Sequence, residues 1–178
     1  FRPEKHNTKR HLNEYTSLDF EMGYIDGFED LMAMETGFLQ FTMKLLKEEY
    51  SKELKILGIE LPQTEKIPAV RFDEIKKLVS EKYERKIRNP FDLEPEEESL
   101  ISRYGKEEWD ADFVFVTHYP TKKRPFYAME DPQDPTYTLS FDLLFRGMEI
   151  TTGGQRIHDY SQLLAKMEKR GMTEEGME

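Results

Sequence analysis

An α+β fold is predicted for this 178-residue chain, and three observations predict it. Residues 15–24 alternate apolar and polar side chains with period two. Residues 28–50 carry apolar side chains at spacings of three, four and seven. From residue 112 onward the chain is rich in β-branched and aromatic residues, broken by turn signals.

In the first of these, Leu18, Phe20, Met22 and Tyr24 share one face of an expected strand, and Ser17, Asp19, Glu21 and Gly23 the other. Acidic residues are poor strand formers, so a face that displays them is either wet or lines a polar site. The helix expected over Phe28 to Tyr50 buries a stripe of Phe28, Leu31, Met32, Phe38, Leu39, Leu45 and Leu46, with Met32, Met34 and Met43 most simply read as core. Gly58 to Pro68 reads as a linker, and Arg71 to Val79 as a short helix capped near Asp73. After an acidic loop, Glu96, Glu97 and Glu98 open a helix that runs to Tyr104, their charges suiting the positive end of the helix dipole on a solvated face.

Asp112 to Tyr119 is a buried strand by composition, with Phe126 to Met129 expected as its hairpin partner across the basic turn at 120–125. Thr138 to Arg146 alternates again, and Met148 to Thr152 continues as strand into Gly153-Gly154-Gln155-Arg156-Ile157-His158. The two glycines fit either a hairpin turn or close backbone approach to a ligand. Tyr160 to Arg170 is a short helix that Gly171 ends.

Composition excludes several functions. With 36 acidic and 26 basic side chains the formal charge is −10, which argues against this segment by itself as a general nucleic-acid binder. There is no cysteine, hence no disulfide framework and no thiolate metal site. Apolar runs such as Phe113 to Val116 are far too short to span a bilayer, and no signal peptide is visible, so a cytoplasmic home is the default. The start at Phe1-Arg2-Pro3-Glu4 suggests an excised domain. Neither G-x-x-x-x-G-K-[ST] nor G-x-G-x-x-G occurs.

Two constellations could carry chemistry. Arg2 and Glu4, two apart on an extended segment, could clamp a phosphate and accept from an exocyclic amine, or simply form a surface ion contact. Glu149, Thr151, Thr152 and Arg156 around Gly153-Gly154 could hold Mg²⁺ and an anion, or belong to a plain hairpin. His158 alone is more simply a hydrogen-bonded structural histidine.

Phe1-Arg2-Pro3-Glu4 through Arg10-His11-Leu12-Asn13-Glu14-Tyr15 to Leu18-Asp19-Phe20-Glu21-Met22 resembles motif 2 of the class II aminoacyl-tRNA synthetases. The wording is that of archaeal and eukaryotic aspartyl-tRNA synthetases. Phe141-Asp142-Leu143, Arg146-Gly147-Met148-Glu149-Ile150 and Gly153-Gly154-Gln155-Arg156-Ile157-His158 resemble that family's aspartate and magnesium block. Thr117-His118-Tyr119-Pro120 and Arg124-Pro125-Phe126-Tyr127, which precede that block, also resemble the family, in the right order.

The resemblance implies an antiparallel sheet flanked by helices, with motif 2 at residues 1–25, a helical insert at 28–110 and the aspartate and magnesium block at 112–160. It implies ATP and aspartate as substrates, Mg²⁺ as cofactor, tRNA as acceptor, and a homodimeric parent. Position by position, Arg2 would bind the α-phosphate and steady the charge that grows there as aspartate attacks. Glu4 would accept from the adenine amine, Tyr15 would stack on the base, and Arg10 and His11 would reach the outer phosphates. Asp19 would meet the aspartate ammonium. Glu149 and Thr152 would hold Mg²⁺, with Glu149 also on the ATP side and Thr152 on the aspartate side. Arg156 would fork the substrate's side-chain carboxylate, selecting Asp over Asn.

The family's OB-fold anticodon-binding domain, motif 1 and motif 3 are not visible in this sequence, so the isolated chain is expected not to charge tRNA. An asparaginyl-tRNA synthetase, a synthetase-like asparagine synthetase and a non-catalytic paralogue acting as a binding module are the alternatives.

Overall fold

Every residue of the strand β4 (Phe113–Thr117) is buried in the computed structural model, which describes residues 2–3 and 12–172. A five-residue run buried on both faces reads as continuous hydrophobicity, and here β4 lies inside a four-stranded sheet. Its neighbours are β3 (Ala69–Arg71), parallel to it, and β5 (Ser140–Phe145), antiparallel. β6 (Met148–Gly154) closes the order β3-β4-β5-β6. The α+β expectation holds, with one parallel pair at the β3 edge. That pair needs a crossover, supplied by α3 (Phe72–Lys82) and α4 (Pro95–Trp109).

Those two helices cover one face of the sheet. Phe72, Ile75, Val79 and Ile101 pack there on Val70, Val114, Val116 and Leu144. The opposite face is covered by the start of α1 (Glu29–Glu49), where Phe28 joins Phe113, Phe115, Phe141 and Leu143. Residues 51–57 form a further helix, α2 (Ser51–Leu57), stopped at Gly58 in the left-handed conformation.

The acids opening α4 are only partly a solvated face. Glu94 and Glu97 form a capping box, and Glu97 is buried against Lys76, with Nζ 3.1 Å from Oε2. Lys76 satisfies its remaining protons on the carbonyls of Asn89 and Asp92. α3 begins at Arg71 without a side-chain cap, whereas Asp159 caps α5 (Tyr160–Lys169) through the Gln162 N–H at 2.8 Å.

Four further expectations are corrected. The strand expected over residues 15–24 reduces to β2 (Glu14–Tyr15), paired with β1 (Arg2–Pro3). Among the described residues nothing pairs with 16–24, and a lone extended segment cannot satisfy its backbone, so Leu18, Phe20 and Tyr24 stay exposed. On α1 the apolar residues span a wider arc than one sheet can cover, leaving Met34, Phe38 and Leu45 exposed. The partner of β4 is β5 and not Phe126–Met129, which contributes only an isolated bridge from Ala128 to Arg156. Finally, the β5–β6 turn is Arg146-Gly147, with φ of 48° and 87°, the two-residue hairpin geometry that glycine favours. Gly153 and Gly154 lie instead within β6 against β5. A Cβ on Gly153 would come within 2.5 Å of the Phe141 ring, so close packing and not a turn requires the small residue.

Candidate functional site

The β5–β6 hairpin builds the chemistry on the α3/α4 face of the sheet. Asp142 sits opposite Thr152, and a bulge between Leu143 and Leu144 inserts an extra residue, so that Leu144 faces Glu149 and not Ile150. In a regular strand Glu149 would point away from Thr152. The bulge returns it to the Asp142–Thr152 face.

Asp142 is 4% exposed, and its Oδ1 accepts from the Thr152 hydroxyl at 2.6 Å and from Arg124 Nη2 at 2.6 Å. Arg124 Nη1 donates to the Thr152 hydroxyl at 2.9 Å, and its guanidinium lies 4.0 Å from the Tyr119 ring centre. The buried Tyr119 hydroxyl faces the Asp142 charge without an aligned hydrogen-bond partner. Burial first, then the neighbouring Asp142 charge, raises Tyr119 well above the usual phenol range. Shielding from water, reinforced by Asp142 and opposed by Arg124, pushes Glu149 up to about 7. Glu149 and Thr152 nonetheless remain exposed as residues, so this face is open to a ligand.

The second part of the site comes from the opening segment. Arg156 Nη2 donates to Glu21 Oε1 at 2.6 Å, with both side chains more than half exposed, and the guanidinium lies 5.2 Å from the Tyr127 ring centre. Residues 135 apart in sequence are thereby joined. Asp19, two residues before Glu21, is exposed and accepts from the Ser17 hydroxyl at 3.0 Å. In the β1–β2 ladder Arg2 is the backbone partner of Tyr15, whose side chain is exposed. Glu4, Arg10 and His11 lie outside the described residues, as does the side chain of Arg2.

The structure therefore places Glu149 and Thr152 on one face with Asp142, and brings Arg156 to the Asp19–Glu21 segment. Sequence reasoning assigned no role to Asp142, Arg124 or Glu21. An acid in the middle of an otherwise apolar strand was the available signal for Asp142, and the period-two partner of Asp19 was the signal for Glu21. A cavity of about 500 Å³ beside Arg85, Arg88 and Arg103 lies between the end of α3 and α4, away from this chemistry.

Among the described residues no group of three or more His, Asp or Glu could hold a metal ion. Two carboxylates and a hydroxyl are a set of hard oxygens that suits Mg²⁺, which commonly takes one or two carboxylates and completes its shell with water and phosphate oxygens.

The chain belongs to the class II tRNA synthetases (D, K and N), whose family model matches residues 1–178. A curated relative from Aeropyrum pernix, named aspartate–tRNA(Asp/Asn) ligase, is 43% identical over 180 residues, covering 100% of this chain and 41% of its own length. The aspartyl-tRNA synthetase of Entamoeba histolytica superposes with a TM-score of 0.89 at 28% identity, over 98% of this chain and 36% of that one. The asparaginyl-tRNA synthetase of Pyrococcus horikoshii, complexed with asparaginyl-adenylate, gives 0.80 at 29% identity, over 96% and 39%. The chain thus spans about 41% of the length of the curated relative. Among the described residues no helix is long and apolar enough to cross a membrane.

Proposed function

We propose that the full-length protein joins aspartate to ATP as aspartyl-adenylate and transfers the aspartyl group to tRNA, as a cytoplasmic homodimer. The observation that carries this reading is the 2.6 Å contact between Arg156 and Glu21, which brings the motif 2 segment and the Gly-Gly-Gln-Arg segment to one face. Arg156 has the geometry to receive the side-chain carboxylate of aspartate, exchanging its exposed contact with Glu21 for a bidentate one with substrate. Asp19 and Glu21, on the same segment, offer negative charge to the substrate ammonium.

No protein nucleophile is required, because the α-carboxylate of aspartate attacks the α-phosphorus and pyrophosphate leaves. The protein's task is to align the reactants and to neutralise charge. Arg2 takes the α-phosphate, and Tyr15, its backbone partner, is available to stack on adenine. Glu4 reads the adenine amine, while Arg10 and His11 hold the outer phosphates. Glu149 and Thr152, with Asp142 beside them, would hold Mg²⁺, which supplies positive charge against the polyphosphate when bound.

The likeness to an asparaginyl enzyme favours one alternative, the same chemistry on asparagine. Mass analysis of the adenylate formed with both amino acids present separates the two. Aspartyl-adenylate is expected, and a product that is mainly asparaginyl-adenylate would replace this reading. Whether the acceptor includes tRNA for asparagine, as the name of the Aeropyrum relative states for that protein, is read by charging each purified tRNA.

A further inference from the structure

Arg124 binds the oxygens that a cation would use. Its two terminal nitrogens donate separately, Nη2 to Asp142 Oδ1 at 2.6 Å and Nη1 to Thr152 Oγ1 at 2.9 Å, while Thr152 Oγ1 donates to the same Asp142 oxygen at 2.6 Å. The three groups form a closed triangle, with the guanidinium as its only positive charge. A divalent ion approaching Asp142 and Thr152 meets a cation already in contact with both, and like charges at such distances repel strongly where solvent is scarce.

The arginine is held by its stem, not by a full set of donors. It stacks on Tyr119 at 4.0 Å, its backbone carbonyl accepts from Arg170 Nη2 at 3.0 Å, and its side chain is 15% exposed. Its Nε is buried and has no hydrogen-bond partner. A guanidinium with an unsatisfied buried N–H gains from an anion that offers more oxygens, and phosphate is the anion it matches best. Asp142, 4% exposed, cannot be left without a counter-charge when the arginine turns away. One cation must replace the other.

We propose that Arg124 is a positioning residue. It occupies the Asp142 and Thr152 oxygens while no nucleotide is bound, and polyphosphate draws it off, so that divalent metal enters with the nucleotide and not before it. The inference rests on the metal role proposed above for Glu149 and Thr152. It assigns Arg124 a function distinct from binding aspartate or adenine.

The test measures Mn²⁺ binding to the full-length protein by the loss of the free-ion paramagnetic resonance signal. Without nucleotide, Arg124→Gln is expected to bind Mn²⁺ roughly tenfold more tightly than wild type, and adding Glu149→Gln to that variant should remove the gain. Equal binding by Arg124→Gln and wild type, while Glu149→Gln still weakens Mn²⁺ retention by the ATP-loaded protein, overturns the role of Arg124 and leaves the metal site standing. A gain that survives Glu149→Gln puts the ion elsewhere and overturns both. Arg124→Lys guards against a variant that does not fold: the ammonium keeps a positive charge beside Asp142 and Thr152, so Mn²⁺ binding much closer to wild type than to Arg124→Gln is expected. A Lys variant with native melting that binds Mn²⁺ as tightly as Arg124→Gln also overturns the proposal.

Discussion

Asp142→Asn changes one atom type at the centre of the site, and the structure gives its consequences a size and a sign. Asp142 Oδ1 accepts two bonds of 2.6 Å, one from Thr152 and one from the Arg124 guanidinium. Asparagine keeps an acceptor for both, so the shape survives. What is lost is the ionic half of the arginine contact, roughly 1 kcal/mol, because charge-assisted bonds are about twice as strong as neutral ones. The new amide N–H must also find an acceptor at a buried position, which costs about 1–2 kcal/mol if it fails.

Against this stands one gain. The Asp142 charge helps to raise Glu149 to about 7, and the variant removes that repulsion. The folded protein holds the Glu149 proton more tightly than the unfolded chain does, so wild-type stability falls as pH rises from about 4.5 to about 7. Lowering the Glu149 pKa makes this fall shallower, and the penalty of the variant is therefore smaller at pH 8 than at pH 6. Glu149 keeps its solvent contact, so the difference should stay under about 1 kcal/mol. Urea unfolding followed by circular dichroism at both pH values reads the result: a loss of about 1–3 kcal/mol, larger at pH 6. A loss below about 0.5 kcal/mol at both pH values would rule out a stabilising Asp142–Arg124 ion pair, and a larger loss at pH 8 would rule out its coupling to Glu149.

Lys76→Met should destabilise by about 3 kcal/mol, because it leaves Glu97, charged and 3% exposed, with only the more distant Arg85 at 3.9 Å as counter-charge; Glu97→Gln should cost less, and the two urea midpoints decide. Gly153→Ala should lose about 1–3 kcal/mol, since its Cβ would lie 2.5 Å from a Phe141 ring that Phe28 and Phe115 keep from moving; an unchanged melting temperature would contradict that packing. Metal binding needs the Glu149 carboxylate ionised, so Mn²⁺ affinity in the presence of ATP should rise as pH climbs towards and through about 7, by at most about tenfold per unit. A flat titration between pH 6 and 8 would remove Glu149 from the ligand set.

Much of the fold was legible because local pattern and tertiary role agree there. The run Phe113–Thr117 is hydrophobic on both faces and is buried on both, while the spacing of Phe28, Leu31, Met32 and Leu39 matches the stripe that α1 lays on the sheet. Pairing was harder to read. Whether β4 meets Phe126–Met129 or β5 depends on a turn at Arg146-Gly147 whose two positive φ values only glycine announces, and arginine disguised the first. The run at 15–24 has strand periodicity but no pairing partner among the described residues, and periodicity alone cannot supply one.

The site divides in the same way. Glu149, Thr152, Asp19 and Arg156 took their expected roles from the family wording. The bulge that turns Glu149 towards Thr152 is a backbone irregularity with no residue signature, since any residue could be the extra one. Arg124 was hidden for another reason: its partners Asp142 and Thr152 are 18 and 28 residues away, and such distances are closed only by the folded sheet.

Arg156 is proposed to select the side-chain carboxylate of aspartate on a face shared with the motif 2 segment. The most direct measurement is pyrophosphate exchange by the full-length Arg156→Leu protein, titrated with aspartate, alongside ATP binding by the same variant. Exchange is expected to disappear while ATP binding stays near the wild-type level. Exchange at the wild-type rate with an unchanged dependence on aspartate would contradict it.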